Sequence, residues 1–278
     1  MTASAMTGPM LLDCEGVTVR FGGVTALDGV TFQVAPGSIT AIIGPNGAGK
    51  TTLLNAITGL VRTNAGSIRL DGGEISGKPP YRRARAGVVR TFQNLEIFTN
   101  MTVLENVMTG CHRRVRYSLF AALFKTPGYF AAERACVDSA MRHLAFVGLD
   151  DLAHTPAGDL PFGKQRLLEL ARAVAAEPSL LLLDEPAAGL NMKETRVLGR
   201  IIRRVRDELG ITIALVEHDM DLIMDISDRI TVLHFGTVLA TGTPLEIQKN
   251  PEVVAAYLGE DDDAPASAAM TEDAEAPA

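Results

Sequence analysis

The segment GPNGAGKTT at residues 44–52 constrains this chain more than any other stretch. It meets the spacing G-x-x-x-x-G-K-[ST] in full and lies between a continuously apolar run, SITAII (38–43), and KTTLLNAITG, a helical stretch that Gly59 ends. A buried strand that turns through glycines into a helix gathers backbone N–H groups around one small space, where an anion is favoured. Gly44, Pro45, Asn46, Gly47, Ala48 and Gly49 form the turn, followed by Lys50, Thr51 and Thr52. Lys50 reaches the outer phosphates of a bound ligand, and the hydroxyl of Thr51 is placed to ligate magnesium.

The same grammar recurs at LLLLDEP (180–186) and ITIALVEHD (211–219), buried runs that break into polar residues at their carboxyl ends. Asp184 emerges where a carboxylate is costly unless it meets a cation or hydrogen bonds, and magnesium is the natural cation. Glu185, one residue farther out, is placed to polarise an attacking water. Ligands of α/β proteins bind beyond the carboxyl ends of the strands, which brings His218 to the same edge as Lys50 and Asp184. His112, His143, His154 and His234 lack such a setting and read as surface or local packing residues.

Strands apolar on both faces imply an α/β fold with a mostly parallel sheet covered by helices. LLDCEGVTVRF and GVTFQVA, rich in β-branched residues and roughly alternating, predict an antiparallel start. Residues 101–176 predict a helical insertion, RITVLHFGTVLATG a hairpin and NPEVVAAYLG a short terminal helix. No repeat or linker divides the body, so residues 11–259 read as one domain after a flexible N-terminus at 1–10.

The net charge of -7 has a location: Glu260, Asp261, Asp262, Asp263, Glu272, Asp273 and Glu275 account for it. Among the other residues 26 acids balance 26 bases, and a neutral body argues against a nucleic-acid binder. The tail at 260–278, rich in Ala, Pro, Asp and Glu, predicts disorder. Cys14, Cys111 and Cys136 are widely spaced without a C-x-x-C pair, as suits reduced thiols. The longest aliphatic run, 180–183, is far short of the roughly 20 residues of a spanning helix, and the N-terminus lacks signal-peptide character, so a cytoplasmic location is expected.

In order and approximate spacing, the phosphate loop, TFQNLEIF, DLPFGKQRLLELARA, LLLLDEP, AAGLN and VEHD resemble the nucleotide-binding subunits of ATP-binding cassette (ABC) transporters. The resemblance covers about residues 11–259. PAAGLN, FGGVTALDGV and NPEVVAAYLGE make it most similar to the ATPases of branched-chain amino acid importers. It implies a P-loop NTPase fold with an N-terminal antiparallel β subdomain and an inserted helical subdomain, hydrolysing ATP with Mg2+. Glu185, His218 and Lys50 would serve catalysis, and Thr51, Gln93 and Asp184 the metal. Phe21 would stack on adenine where many relatives have Tyr. Gln93 would touch magnesium and the attacking water and report on the transmembrane partner. His218 would contact the γ-phosphate, and Asn191, which stands where many cassettes have Asp, would join the nucleotide-binding residues.

The resemblance also gives a place to DLPFGKQR (159–166). The loop Leu160, Pro161, Phe162, Gly163, Lys164 begins a helix whose amino end would face the γ-phosphate held by the opposite subunit, so that two chains close around two ATP molecules. Leu167, Leu170, Ala171 and Val174 share one face of that helix, which ends at Glu177-Pro178. Against the common L-S-G-G-Q, Pro161 removes a serine hydroxyl worth roughly 1.5 to 3 kcal/mol as a bond to a charged group. Gly163 would permit close approach and Lys164 adds a positive charge, so a working site is expected.

The implied partners are a second ATP-binding subunit, two transmembrane permease subunits docking near Gln93 and residues 95–137, and indirectly an extracytoplasmic solute-binding protein, with no nucleic acid. Peripheral attachment to the cytoplasmic face of the membrane follows. The basic and aromatic stretch HRRVRYSLFAALFKTPGYF would line the permease contact, lie near lipid headgroups or pack as an ordinary amphipathic helix. A urea or amide importer and a lipid exporter remain open as cargo classes. A soluble cassette ATPase acting on DNA or ribosomes is disfavoured by the single cassette and the lack of sustained heptads.

Overall fold

Three neighbouring strands, β3 (Ile39–Ile43), β7 (Leu180–Asp184) and β8 (Thr212–Val216), are buried at every residue. The cause is two-sided packing. In β3, Ile39, Ala41 and Ile43 point to one apolar cluster and Ile42 to the other; in β7, Leu181 and Leu183 oppose Leu180 and Leu182. Alternating side chains thus feed two cores, and the strands lose the polar/apolar alternation of a one-sided sheet. The computed structural model that shows this describes residues 8–111 and 126–258. The expected flexibility of residues 1–7, the acidic tail at 260–278, His112 and most of the basic and aromatic stretch lie outside the described residues.

The larger sheet has the order β10-β9-β3-β8-β7-β6, with β6 (Val88–Arg90), β9 (Arg229–His234) and β10 (Thr237–Gly242) completing it. All its pairings are parallel except that of β9 with β10, the expected hairpin. The smaller sheet, β2-β1-β4-β5, is antiparallel and comprises β1 (Leu12–Phe21), β2 (Val24–Val34), β4 (Ala65–Leu70) and β5 (Gly73–Glu74). It shares one core with helix α1 (Lys50–Thr58), where Phe32, Leu53 and Ile57 are fully or almost fully buried.

The opposite core is helical. It draws on α3 (Val103–Cys111), α4 (Pro127–Val147), α5 (Phe162–Ala175), α6 (Met192–Leu209) and α7 (Met220–Ile226). The described part of the 101–176 insertion is helical, with one isolated bridge between Thr102 and Pro156. Helix α5 is buried more broadly than a single stripe: Leu168, Arg166 and Glu169 are buried with Leu170, Ala171 and Val174, while Leu167 is only partly covered. The two buried charges form an ion pair at 3.1 Å, so α5 carries a polar seam inside the fold.

Helix α2 (Pro80–Ala86) has no counterpart in the sequence expectations. Its buried Arg83 donates to the carbonyls of Ala56 and Ile57 at 2.5 and 2.9 Å, capping the end of α1. The described residues close with the short helices α8 (Pro244–Gln248) and α9 (Pro251–Leu258). Cys14, Cys111 and Cys136 are buried free thiols.

Candidate nucleotide-binding site

Register brings three strand ends to one level. Val216 of β8 is the partner of Ile42 in β3 and of Asp184 in β7, so the chain leaves all three strands on the same rim. One depression there is lined by Ala26, residues 46–52, Glu185 and His218. Asp184 ends β7 on the same rim, next to Glu185.

The phosphate loop depends on glycine at two points. A Cβ on Gly44 would lie 2.1 Å from the Leu233 carbonyl, and one on Gly49, at φ +102°, would lie 2.8 Å from the Ala26 carbonyl. The turn between β9 and β10 clamps the loop, since Gly236 donates to Ala48 at 3.1 Å while accepting from Asp28 at 2.8 Å. Lys50 is buried, and its Nζ donates to the carbonyls of Gly44 and Pro45 at 2.5 and 2.8 Å. Thr51 is exposed at the amino end of α1 and Thr52 is half-buried.

Glu185 holds a left-handed backbone at φ +47°, a conformation that costs a residue with a side chain about 1 to 3 kcal/mol. Its N–H donates to the Val216 carbonyl at 2.9 Å. Each carboxylate oxygen meets one side chain: Oε1 lies 2.9 Å from Nε2 of His218, and Oε2 accepts from Nε2 of Gln93 at 2.8 Å. Two residues distant in sequence therefore converge on one acid. Gln93 itself is held from behind, because Arg166 donates to its backbone carbonyl at 2.7 Å and Glu169 accepts from the N–H of Glu96. Burial pushes the Glu169 carboxyl up.

No local sequence pattern marks Glu217, although it precedes His218. It is buried, and its carboxylate accepts from the N–H groups of Ala187 at 2.6 Å and His218 at 2.9 Å, joining the loops after β7 and β8. Burial first, and the nearby Glu185 charge last, push its carboxyl above the ordinary 4.5. A raised folded-state value means its stabilising contribution is complete below 4.5 and is lost as pH rises through the raised value. Glu217→Gln should therefore melt at a higher temperature relative to wild type at pH 7 than near pH 4.5; parallel melting curves across that range would contradict this.

The remaining predicted residues lie elsewhere on the chain. None of Leu160, Pro161, Phe162, Gly163 and Lys164 lines the depression. Pro161 caps α5 without a side-chain bond, Lys164 is exposed, and the Arg166 guanidinium lies 5.4 Å from the centre of the Phe162 ring. The bare α-carbon of Gly163 gives room within its own chain: a Cβ there would lie 2.4 Å from Oε1 of Glu194. Asn191 caps α6, its Oδ1 accepting from Lys193 and Glu194 in a reciprocal capping box. The motif Asn-x-x-Glu in NMKE announces that role. Phe21 is half-exposed at the end of β1, beside a cleft of about 690 Å³ lined also by Arg20 and residues 60–64. His143 donates from Nδ1 to the Ser139 carbonyl and His234 packs on Phe235, which is local packing as expected.

Comparison with known proteins gives the family. A family model for ABC transporters matches residues 27–188, and one for branched-chain amino acid ATP-binding cassette transporters matches 237–263. The chain belongs to the ABC transporter family. It is 48% identical over 250 residues to BraF of Pseudomonas aeruginosa, named a high-affinity branched-chain amino acid transport ATP-binding protein, covering 90% of this chain and 98% of that one. LivG of Escherichia coli, with the same description, is 46% identical over the same shares. The crystal structure of MJ1267, an ABC transporter cassette in its ADP conformation, superposes with a TM-score of 0.79 at 32% identity, covering 91% of this chain and all of that one. The chain is thus an ABC-type ATPase, and the depression on its strand rim is the candidate nucleotide site. Among the described residues no helix is long and apolar enough to cross a membrane.

Proposed function

We propose that the chain is the ATP-hydrolysing subunit of a branched-chain amino acid importer, attached peripherally to the cytoplasmic face of the membrane. The convergence of His218 and Gln93 on the two oxygens of Glu185 carries the catalytic part of the reading. Backbone amides of residues 46–52 and Lys50 would receive the phosphates. Glu185 would orient and polarise the attacking water, with His218 on the γ-phosphate side. Phe21 would stack on adenine from the end of β1.

The donor set suits magnesium: the Thr51 hydroxyl, the Asp184 carboxylate and the Gln93 amide all offer oxygen. Oδ1 of Asp184 has no hydrogen bond among the described residues. When bound, the ion supplies positive charge to the β- and γ-phosphate oxygens. In a dimer of two cassettes, the amino end of α5 would approach the partner's phosphates, its first amides and Lys164 supplying positive potential where Pro161 supplies no hydroxyl.

Two permease subunits would dock beside Gln93. A cleft of about 510 Å³ opens there, lined by Phe92, Glu96, Ile97, Phe98, Glu169 and Arg172 among others, with Phe92 and Phe98 each more than 40% exposed. Partly exposed rings beside charged groups fit a partner helix of mixed character. Branched-chain cargo rests on the names of the relatives. Uptake of labelled leucine in cells lacking the chain tests it: restoration by wild type and not by Glu185→Gln is expected, and equal uptake with and without the chain would overturn the cargo reading.

A further inference from the structure

Arg90 ends β6, one strand away from Asp184, and its side chain is 4% exposed. Its two terminal nitrogens grip different elements. One meets Oδ2 of Asp184 at 2.6 Å and the other donates to Oδ1 of Asn55 at 2.7 Å. Asn55 lies four residues after Thr51 in α1, one turn farther along the same helical face. Asp184, read above as a magnesium ligand, is therefore tied through a single guanidinium to the helix that carries Thr51, another of those ligands. The buried Nε of Arg90 has no acceptor, so the side chain's orientation follows from its two terminal contacts and not from full satisfaction of its donors.

We propose that Arg90 is a positioning residue for the metal site: it fixes the Asp184 carboxylate against α1 so that Oδ1 faces the Thr51 hydroxyl. This rests on the reading of Asp184 as a magnesium ligand. A planar fork with separated donors can span an acid and an amide at once, whereas a lysine ammonium at the same place holds one or the other. Partners of this kind, which orient a ligand without touching the ion, change metal affinity when removed. The guanidinium carbon lies 5.0 Å from the centre of the Phe92 ring, and Arg90 and Phe92 both line the cleft beside Gln93. The segment 90–93 thus holds both neighbouring acids, Asp184 through Arg90 and Glu185 through Gln93.

The test is a magnesium titration of ADP binding, followed by calorimetry or nucleotide fluorescence, on the full chain as wild type, Arg90→Lys and Asn55→Ala. ADP affinity in excess chelator should stay within about twofold of wild type in both variants, because the phosphate loop is untouched. The magnesium concentration giving half of the affinity gain should rise by about 10- to 100-fold, the range for loss of such an orienting partner. An unchanged midpoint in a folded variant overturns the proposal, even where its melting temperature falls. Asn55→Ala leaves no buried charge unpaired, so it decides the matter if Arg90→Lys does not fold. If wild-type ADP affinity is itself indifferent to magnesium, Asp184 is not a metal ligand, and that reading falls together with the proposal.

Discussion

Glu185→Gln should bind MgATP at least as tightly as wild type and hydrolyse it about 10²- to 10⁴-fold more slowly, the range for loss of a general base. The replacement is isosteric: its amide oxygen can accept from Gln93 as Oε2 does now and its NH2 group can donate to Nε2 of His218, which leaves the Gln93 amide oxygen free for the ion. What disappears is the negative charge that polarises the attacking water and that also repels the γ-phosphate. Loss of both favours a long-lived ATP complex, and with it a dimer stable enough to isolate by gel filtration in ATP. Phosphate release within a few-fold of wild type would remove Glu185 from the mechanism.

Lys50→Ala should fail at the earlier step. The ammonium is held at the base of the phosphate loop by the Gly44 and Pro45 carbonyls, within reach of anionic oxygens placed on the loop amides. Hydrogen bonds to charged groups contribute about 1.5 to 3 kcal/mol, so ATP affinity should fall by about 10- to 150-fold. Water can satisfy the two carbonyls in the variant, so the fold should persist and the defect should appear as weakened binding in calorimetry. Wild-type affinity in a folded variant would show that Lys50 does not meet the phosphates.

The parts legible in the sequence were those whose cause is local or periodic. The runs at 39–43, 180–184 and 212–216 stand out because both faces are covered, and their polar exits point to one rim once the parallel register is known. Glycines at 44 and 49 mark a backbone that a side chain would obstruct. Residues 61–90 were illegible for the opposite reason. Strand β4 is only partly buried, and the arginine-rich α2 looks solvent-facing although Arg83 is buried against the end of α1.

The charged residues missed at the site share that origin. Arg90 meets Asp184 across 94 positions and Glu217 meets Ala187 across 30, contacts that no local pattern announces. Asn191 shows the converse. Its motif position suggested a role at the nucleotide, while its spacing to Glu194 specified a helix cap, and capping is what its side chain does within the chain. Gly163, read as room for a phosphate, makes room for Glu194. Contacts made by the 160–164 loop across a dimer would add to these local roles.

A structure of Glu185→Gln with MgATP is the most direct test of the proposed site. The account predicts a dimer in which the phosphates lie on the amides of residues 46–52, with the ion between Thr51 and Asp184 and the partner's α5 amino end facing the γ-phosphate. Phosphates seated outside this depression, or nucleotide bound to a chain that stays monomeric with its phosphates open to solvent, would contradict it.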